Sequence, residues 1–162
     1  METKRRIFIS YHHHADQRAV DTFVRDFSGQ LEVFTDHSVE RVADSSDVDY
    51  LARVCRERIK GTSVTIVMIG RQTGCRRFVD WEILDTLRRQ HGLFGLVVHG
   101  LDHRSAWVPD RSWDNINTGY AEWYQYPSNG SELKWMISRA YNQNPKLIDN
   151  SRSKRRYNSA VQ

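Results

Sequence analysis

Glu82 stands in Phe78-Val79-Asp80-Trp81-Glu82-Ile83, shortly after the apolar run Val64-Thr65-Ile66-Val67-Met68-Ile69. A carboxylate leaving a buried strand in this way can serve as a positioned acid-base or electrostatic group once the fold takes it partly out of water. At about 100° per residue, Val79, Ile83, Leu84 and Leu87 share one helical face, and Glu82 falls on the margin between that face and solvent. By position alone it reads more readily as a solvated glutamate favoured near a helix amino terminus. Asp80, on the far side of the apolar stripe, reads as an exposed first-turn acid.

The other chemistry-bearing residues are less pointed. In His12-His13-His14, three neighbours on a turning chain do not converge on one ion, whereas dedicated metal sites spread their ligands over several elements. No metal is expected, and His12 is the member taken to touch a ligand. Gly70-Arg71-Gln72-Thr73-Gly74 could offer N–H groups and Arg71 to a pyrophosphate, but it lacks the Lys-Ser or Lys-Thr ending of a P-loop and reads first as a connection. Trp81 is either a packed aromatic or a stacking platform. Cys55 and Cys75 have no metal-ligand spacing, and neither needs a disulfide in a reducing compartment.

The elements that position Glu82 follow from periodicity. Arg6 to Tyr11 predicts a first strand, and Val20, Phe23, Val24 and Phe27 recur at helical spacing after the plausible cap Asp16. Leu31 to Thr35 predicts a second strand, and Val48, Leu51, Ala52, Cys55 and Ile59 line the next helix. Val64 to Ile69, short, β-branched and closed by Gly70, is a third strand that leads into the Glu82 helix. Leu93 to His99 is a fourth. Gly100 to Tyr126 is hard to read beyond an edge strand near Glu122 to Tyr126. A last helix follows the cap Ser131.

Strands alternating with helices imply a parallel sheet. The expected fold is a flavodoxin-like three-layer α/β sandwich with about five strands in the order 2-1-3-4-5. The switch point then falls between strands one and three, and ligands bind at the carboxyl ends of the strands that flank it. Those ends are Ser10-Tyr11-His12 and Ile69-Gly70. This placement is what lifts Glu82 above the ornamental reading.

The bulk properties restrict the rest. At 162 residues one domain suffices, over residues 1 to 145. The net charge of +4 resides in Arg152, Lys154, Arg155 and Arg156, which leaves 20 basic against 20 acidic groups before residue 151. Residues 146 to 162 therefore read as a basic, disordered tail, and the neutral body does not suit a nucleic-acid-binding face. No apolar stretch approaches the roughly 20 residues of a membrane span, and the amino terminus lacks a signal-peptide core. A cytoplasmic location is expected.

With Phe8-Ile9-Ser10-Tyr11 closing strand one and Phe78-Val79-Asp80-Trp81-Glu82-Ile83 opening the helix after strand three, the chain resembles TIR domains. More narrowly, it resembles the TIR-like ThsB family of bacterial Thoeris anti-phage defence, over about residues 5 to 142. The resemblance implies a TIR-like fold and cleavage of the nicotinamide-ribose bond of NAD. NAD would be substrate and not cofactor. The ADP-ribose part would become a diffusible, cyclic nucleotide that activates a Thoeris effector, in response to a phage-derived trigger. Glu82 matches the catalytic glutamate. Ser10, Tyr11 and His12 match the first-strand edge of the nucleotide pocket, and Thr35, Asp36 and His37 match the loop after strand two. That loop often mediates contacts in homo-oligomers of relatives, but here it lacks their Pro-Gly pattern. Phe78 stands where relatives carry Trp, and Trp81, three residues on, is the alternative ring for the substrate.

The chemistry suits a single carboxylate. Nicotinamide leaves as a neutral molecule and needs little protonation, so the demand is to stabilise a ribosyl cation, as in glycoside hydrolysis. Two other readings are a nucleoside deoxyribosyltransferase-like enzyme on the same sheet order and a catalytically silent interaction module.

Overall fold

The computed structural model describes residues 5–33 and 48–158. Five parallel strands form one sheet: β1 (Arg6–Ser10), β2 (Glu32–Val33), β3 (Val64–Ile69), β4 (Gly92–Val97) and β5 (Glu122–Tyr124). Their order is β2-β1-β3-β4-β5. Among the described residues five α-helices accompany them: α1 (His13–Asp26), α2 (Val48–Lys60), α3 (Arg77–Arg88), α4 (Asp110–Thr118) and α5 (Gly130–Tyr141).

The central strands read as continuous apolar runs because both of their faces are covered. Every residue of β3 and β4 is buried. On one face Val64, Ile66, Met68, Phe94 and Leu96 pack against Val20 and Phe23 of α1 and Leu133, Met136 and Ile137 of α5. On the other, Val67, Ile69 and Leu93 pack against Val79, Ile83 and Leu87 of α3. Gly92 is required where β4 passes under α5, since a Cβ there would lie 2.8 Å from the Ala140 backbone.

Several expectations change. Helix α1 begins at His13 with His12 as its N-cap residue, so Asp16 sits in the first turn and not at the cap. The cap of α5 is Asn129, whose side chain accepts from the Glu132 N–H at 2.9 Å, and not Ser131. Asp80 is not exposed: it is buried and paired with Arg111 of α4 at 2.8 Å. Residues 146 to 158 do not stand off as a disordered tail. They run back over α4 and α3, bonded through Asp149 to Asn115, Asn150 to Leu84 and Arg155 to Trp81. Thr35, Asp36 and His37 lie outside the described residues.

Candidate active site

β2 and β4 lie on opposite sides of the β1–β3 pair, so the switch point of the sheet falls at the carboxyl ends of these two strands, where open α/β sheets have their ligand crevice. Ser10 ends β1, and its Oγ–H donates to Glu82 Oε1 across 2.9 Å. Both side chains are buried. Glu82 is also fixed from behind. The Thr86 hydroxyl donates to the Glu82 carbonyl at 2.8 Å and lies 2.8 Å from the Thr65 hydroxyl of β3, which leaves Thr65 to donate in that second bond. Side chain and backbone of Glu82 are thus tied to two adjacent strands.

Glu82 is only 2% exposed. Burial pushes its carboxyl up to about 8, against the opposing effects of the Ser10 hydrogen bond and the positive field of Arg58 from α2. At neutral pH the resting side chain therefore holds its proton. A carboxyl in this state can bind as a donor, and it ionises when a positive charge is brought beside it.

His12 and His13 are pushed down to about 4 by burial, with Arg76 the next influence on His12 and Arg58 on His13. Both rings are neutral at physiological pH. Five buried side-chain polar atoms lack a partner among the described residues, and three of them belong to this edge: His12 Nδ1, His13 Nδ1 and Asp16 Oδ2. Native interiors rarely leave such atoms unsatisfied, so a cluster of three at one strand end points to ligand or ordered water. Burial also raises Asp16 above the usual carboxylate range. Its carboxylate lies across the end of β3 against the Cα of Gly70, so a side chain at position 70 would push that carboxylate aside.

The structure brings Ser10, His12 and Glu82 to this crevice. Tyr11 is half-buried beside them, its hydroxyl donating to Gln17 Oε1 at 2.6 Å and its ring 4.1 Å from that of His13. Phe78 meets the His13 ring edge-on at 6.3 Å and lies 6.5 Å from Trp81. Trp81 itself is buried against Val54 and Phe78, and its Nε1–H donates to the Arg155 carbonyl at 2.7 Å. Lys154 Nζ lies 4.1 Å from its ring centroid. The structure therefore packs Trp81 under the carboxyl-terminal segment, and of the two rings Phe78 is the one beside the crevice.

The loop after β3 is closed on itself. The Gly70 N–H donates to Thr73 Oγ1 at 2.8 Å, the Gly70 carbonyl accepts from the Trp107 N–H at 3.0 Å, and Gly74 sits under the Trp107 ring. It does not offer the Gly70 N–H to a phosphate. His13, Asp16 and Arg58 escaped the sequence reading as site residues. Asp16 was within reach, since it stands four residues after His12 and so falls beside it on a helix that begins at His13. Among the described residues no group of three or more His, Cys, Asp and Glu side chains is placed to hold a metal ion, and no helix is long and apolar enough to cross a membrane.

A parallel sheet covered by helices on both faces is consistent with a TIR-like fold. A family model described as Thoeris protein ThsB, TIR-like domain, matches residues 8–103 and so takes in Ser10, His12, His13, Asp16 and Glu82. The chain belongs to this family. None of the curated protein sequences compared with the chain matches it.

Proposed function

We propose that the protein acts in anti-phage defence by cleaving the nicotinamide-ribose bond of NAD. The ADP-ribose part is released as a nucleotide, cyclic in form, that activates a Thoeris effector. The observation that carries this reading is the buried Glu82–Ser10 pair at the β1–β3 crevice of a ThsB-type TIR-like chain.

In this proposal the cationic nicotinamide ring binds beside Glu82, whose proton passes to solvent as the ring arrives, because an adjacent positive charge favours the ionised form. The carboxylate then holds the ribose hydroxyls and faces the anomeric carbon. The C1′–N bond breaks, its electron pair neutralises the departing ring, and Glu82 stabilises the ribosyl cation. An adenine or ribose atom of the same molecule, or another acceptor, forms the new bond to C1′. Any proton that the acceptor releases passes to Glu82 or solvent. The Ser10 hydroxyl keeps the carboxylate in place, and the unpartnered His12, His13 and Asp16 atoms supply hydrogen bonds to the polar substrate.

Incubation of purified protein with NAD and, separately, with deoxynucleosides, with and without infected-cell lysate, tests the reading when products are weighed by mass spectrometry. Nicotinamide plus an ADP-ribose-derived nucleotide from NAD is the expected result. Base exchange on deoxynucleosides would show the transferase instead. No turnover in any of these mixtures would leave an interaction module.

A further inference from the structure

The match to the family ends at residue 103, yet the most fully bonded side chain of the described structure comes after it. Arg111 is 0% exposed, and all five of its N–H groups are engaged. Nε and one Nη2 hydrogen serve the two Asp80 oxygens at 2.8 and 3.2 Å. The remaining three reach Asn150 Oδ1 at 2.9 Å, the Arg152 carbonyl at 2.8 Å and the Ser153 carbonyl at 3.1 Å. A guanidinium this buried is tolerated because a carboxylate and three further acceptors replace its water, and three of those acceptors belong to the carboxyl-terminal segment.

That segment in turn grips α3. Asn158 Oδ1 accepts from the Arg77 N–H at 2.9 Å, Asp80 Oδ2 accepts from the Arg155 N–H at 2.8 Å, the Trp81 indole donates to the Arg155 carbonyl, and Asn150 Nδ2 donates to the Leu84 carbonyl at 3.1 Å. At about 100° per residue, positions 77, 80, 81 and 84 fall on one face of α3, roughly opposite Glu82. The sheet fixes α3 from below, and these four attachments fix its rotation from behind. Without them the helix could turn on its apolar contacts, and a small turn would carry Glu82 away from Ser10.

We infer that Arg111 is a positioning residue, which locks residues 149–158 onto the outer face of α3 and thereby sets the Glu82 carboxylate against Ser10. This rests on the proposed NAD-cleaving role for its catalytic consequence, while the placement of Glu82 can be read without it. Arg111 touches neither the crevice nor Ser10 and acts only through Asp80 and the carboxyl-terminal segment.

The test uses full-length Arg111→Met, Arg111→Lys and Asn150→Ala, with Arg139→Ala on α5 as the remote control. Two quantities are read: the Glu82 titration by carbon NMR, assigned with Glu82→Gln, and the separate kcat and KM for NAD. A displaced α3 admits water to Glu82, so Arg111→Met and Asn150→Ala should lower its midpoint by about one pH unit or more and reduce kcat by about tenfold or more, with KM changed less. Arg111→Lys keeps the charge beside Asp80 but has three donors for five acceptors, and it should fall between Arg111→Met and wild type. Arg139→Ala should match wild type in both. If Arg111→Met does not fold, Asn150→Ala decides. Variants that melt earlier but keep the wild-type Glu82 midpoint and kcat would overturn the inference. Should wild type release no nicotinamide, the NAD-cleaving reading fails and the NMR midpoint still judges the brace.

Discussion

Ser10 Oγ–H donates to Glu82 Oε1 across 2.9 Å, joining the last residue of β1 to the second turn of α3 inside the protein. The bond opposes the effect of burial on Glu82, because a donor favours the ionised form. Ser10→Ala should therefore raise the Glu82 midpoint above about 8 and lower kcat/KM for NAD at neutral pH by about tenfold, with most of the loss recovered at high pH. A pH–rate profile of the variant checks this. A uniform loss at every pH would mean that Ser10 acts only by shape.

The wild-type profile has its own predicted form. In the proposed reaction Glu82 acts ionised but rests protonated below about 8, and kcat/KM reports the unliganded protein, so the rate should climb about tenfold per pH unit up to that midpoint and level beyond it. The profile of kcat should break at lower pH, because the bound nicotinamide cation favours the carboxylate. A kcat/KM profile flat from about pH 6 to pH 9 would contradict the assignment.

Stability should follow the same group in the opposite sense. The unfolded chain releases the Glu82 proton near the ordinary 4.5, whereas the folded chain keeps it to about 8. The folded state thus binds more protons between those values, and its stability falls as pH rises through the window. Glu82→Gln cannot ionise, so it should melt higher than wild type at about pH 9, by on the order of a few kcal/mol, and nearly level with it at about pH 5. Calorimetry at the two pH values measures the difference, and an equal effect at both would exclude a buried, titrating Glu82.

The two histidines act on the acid side. Folding lowers His12 and His13 from 6.5 to about 4, so the unfolded chain takes up their protons first. Their contribution is fully present above the unfolded value and is lost as pH falls toward about 4. His13→Gln should make the acid limb of a urea-midpoint-against-pH curve shallower than in wild type. An unchanged limb would place the ring in water.

The parallel α/β plan and Glu82 were legible in the sequence because they are written in apolar periodicity. Val64 to Ile69 is buried at every position and reads as a continuous run, and Val79, Ile83 and Leu87 repeat at the helical period. Helix α4 was not legible, and the reason is physical. Its buried residues are Arg111, Ser112 and Asn115, so no apolar stripe marks it. The segment after Pro145 reads as a disordered tail for the same reason. It is held mainly by hydrogen bonds from Arg111, Asn115 and Trp81 to its backbone and amide groups, and a basic sequence without apolar spacing gives no sign of them. Asp80 does lie off the apolar stripe, as the helical wheel indicates, but that side of α3 faces Arg111 and the carboxyl-terminal segment and not solvent. Trp81 shares that cover, which is why the ring beside the crevice is Phe78.

In the proposed function Glu82 is the catalytic carboxylate of an NAD-cleaving domain. The most direct test of that role is chromatographic measurement of nicotinamide released from NAD by full-length wild type and Glu82→Gln, at matched folded concentrations, with infected-cell lysate supplied as the source of any trigger. Wild type should release nicotinamide, and the variant, isosteric and folded, should be slower by about 10²-fold or more. Equal release by the two proteins would contradict the account.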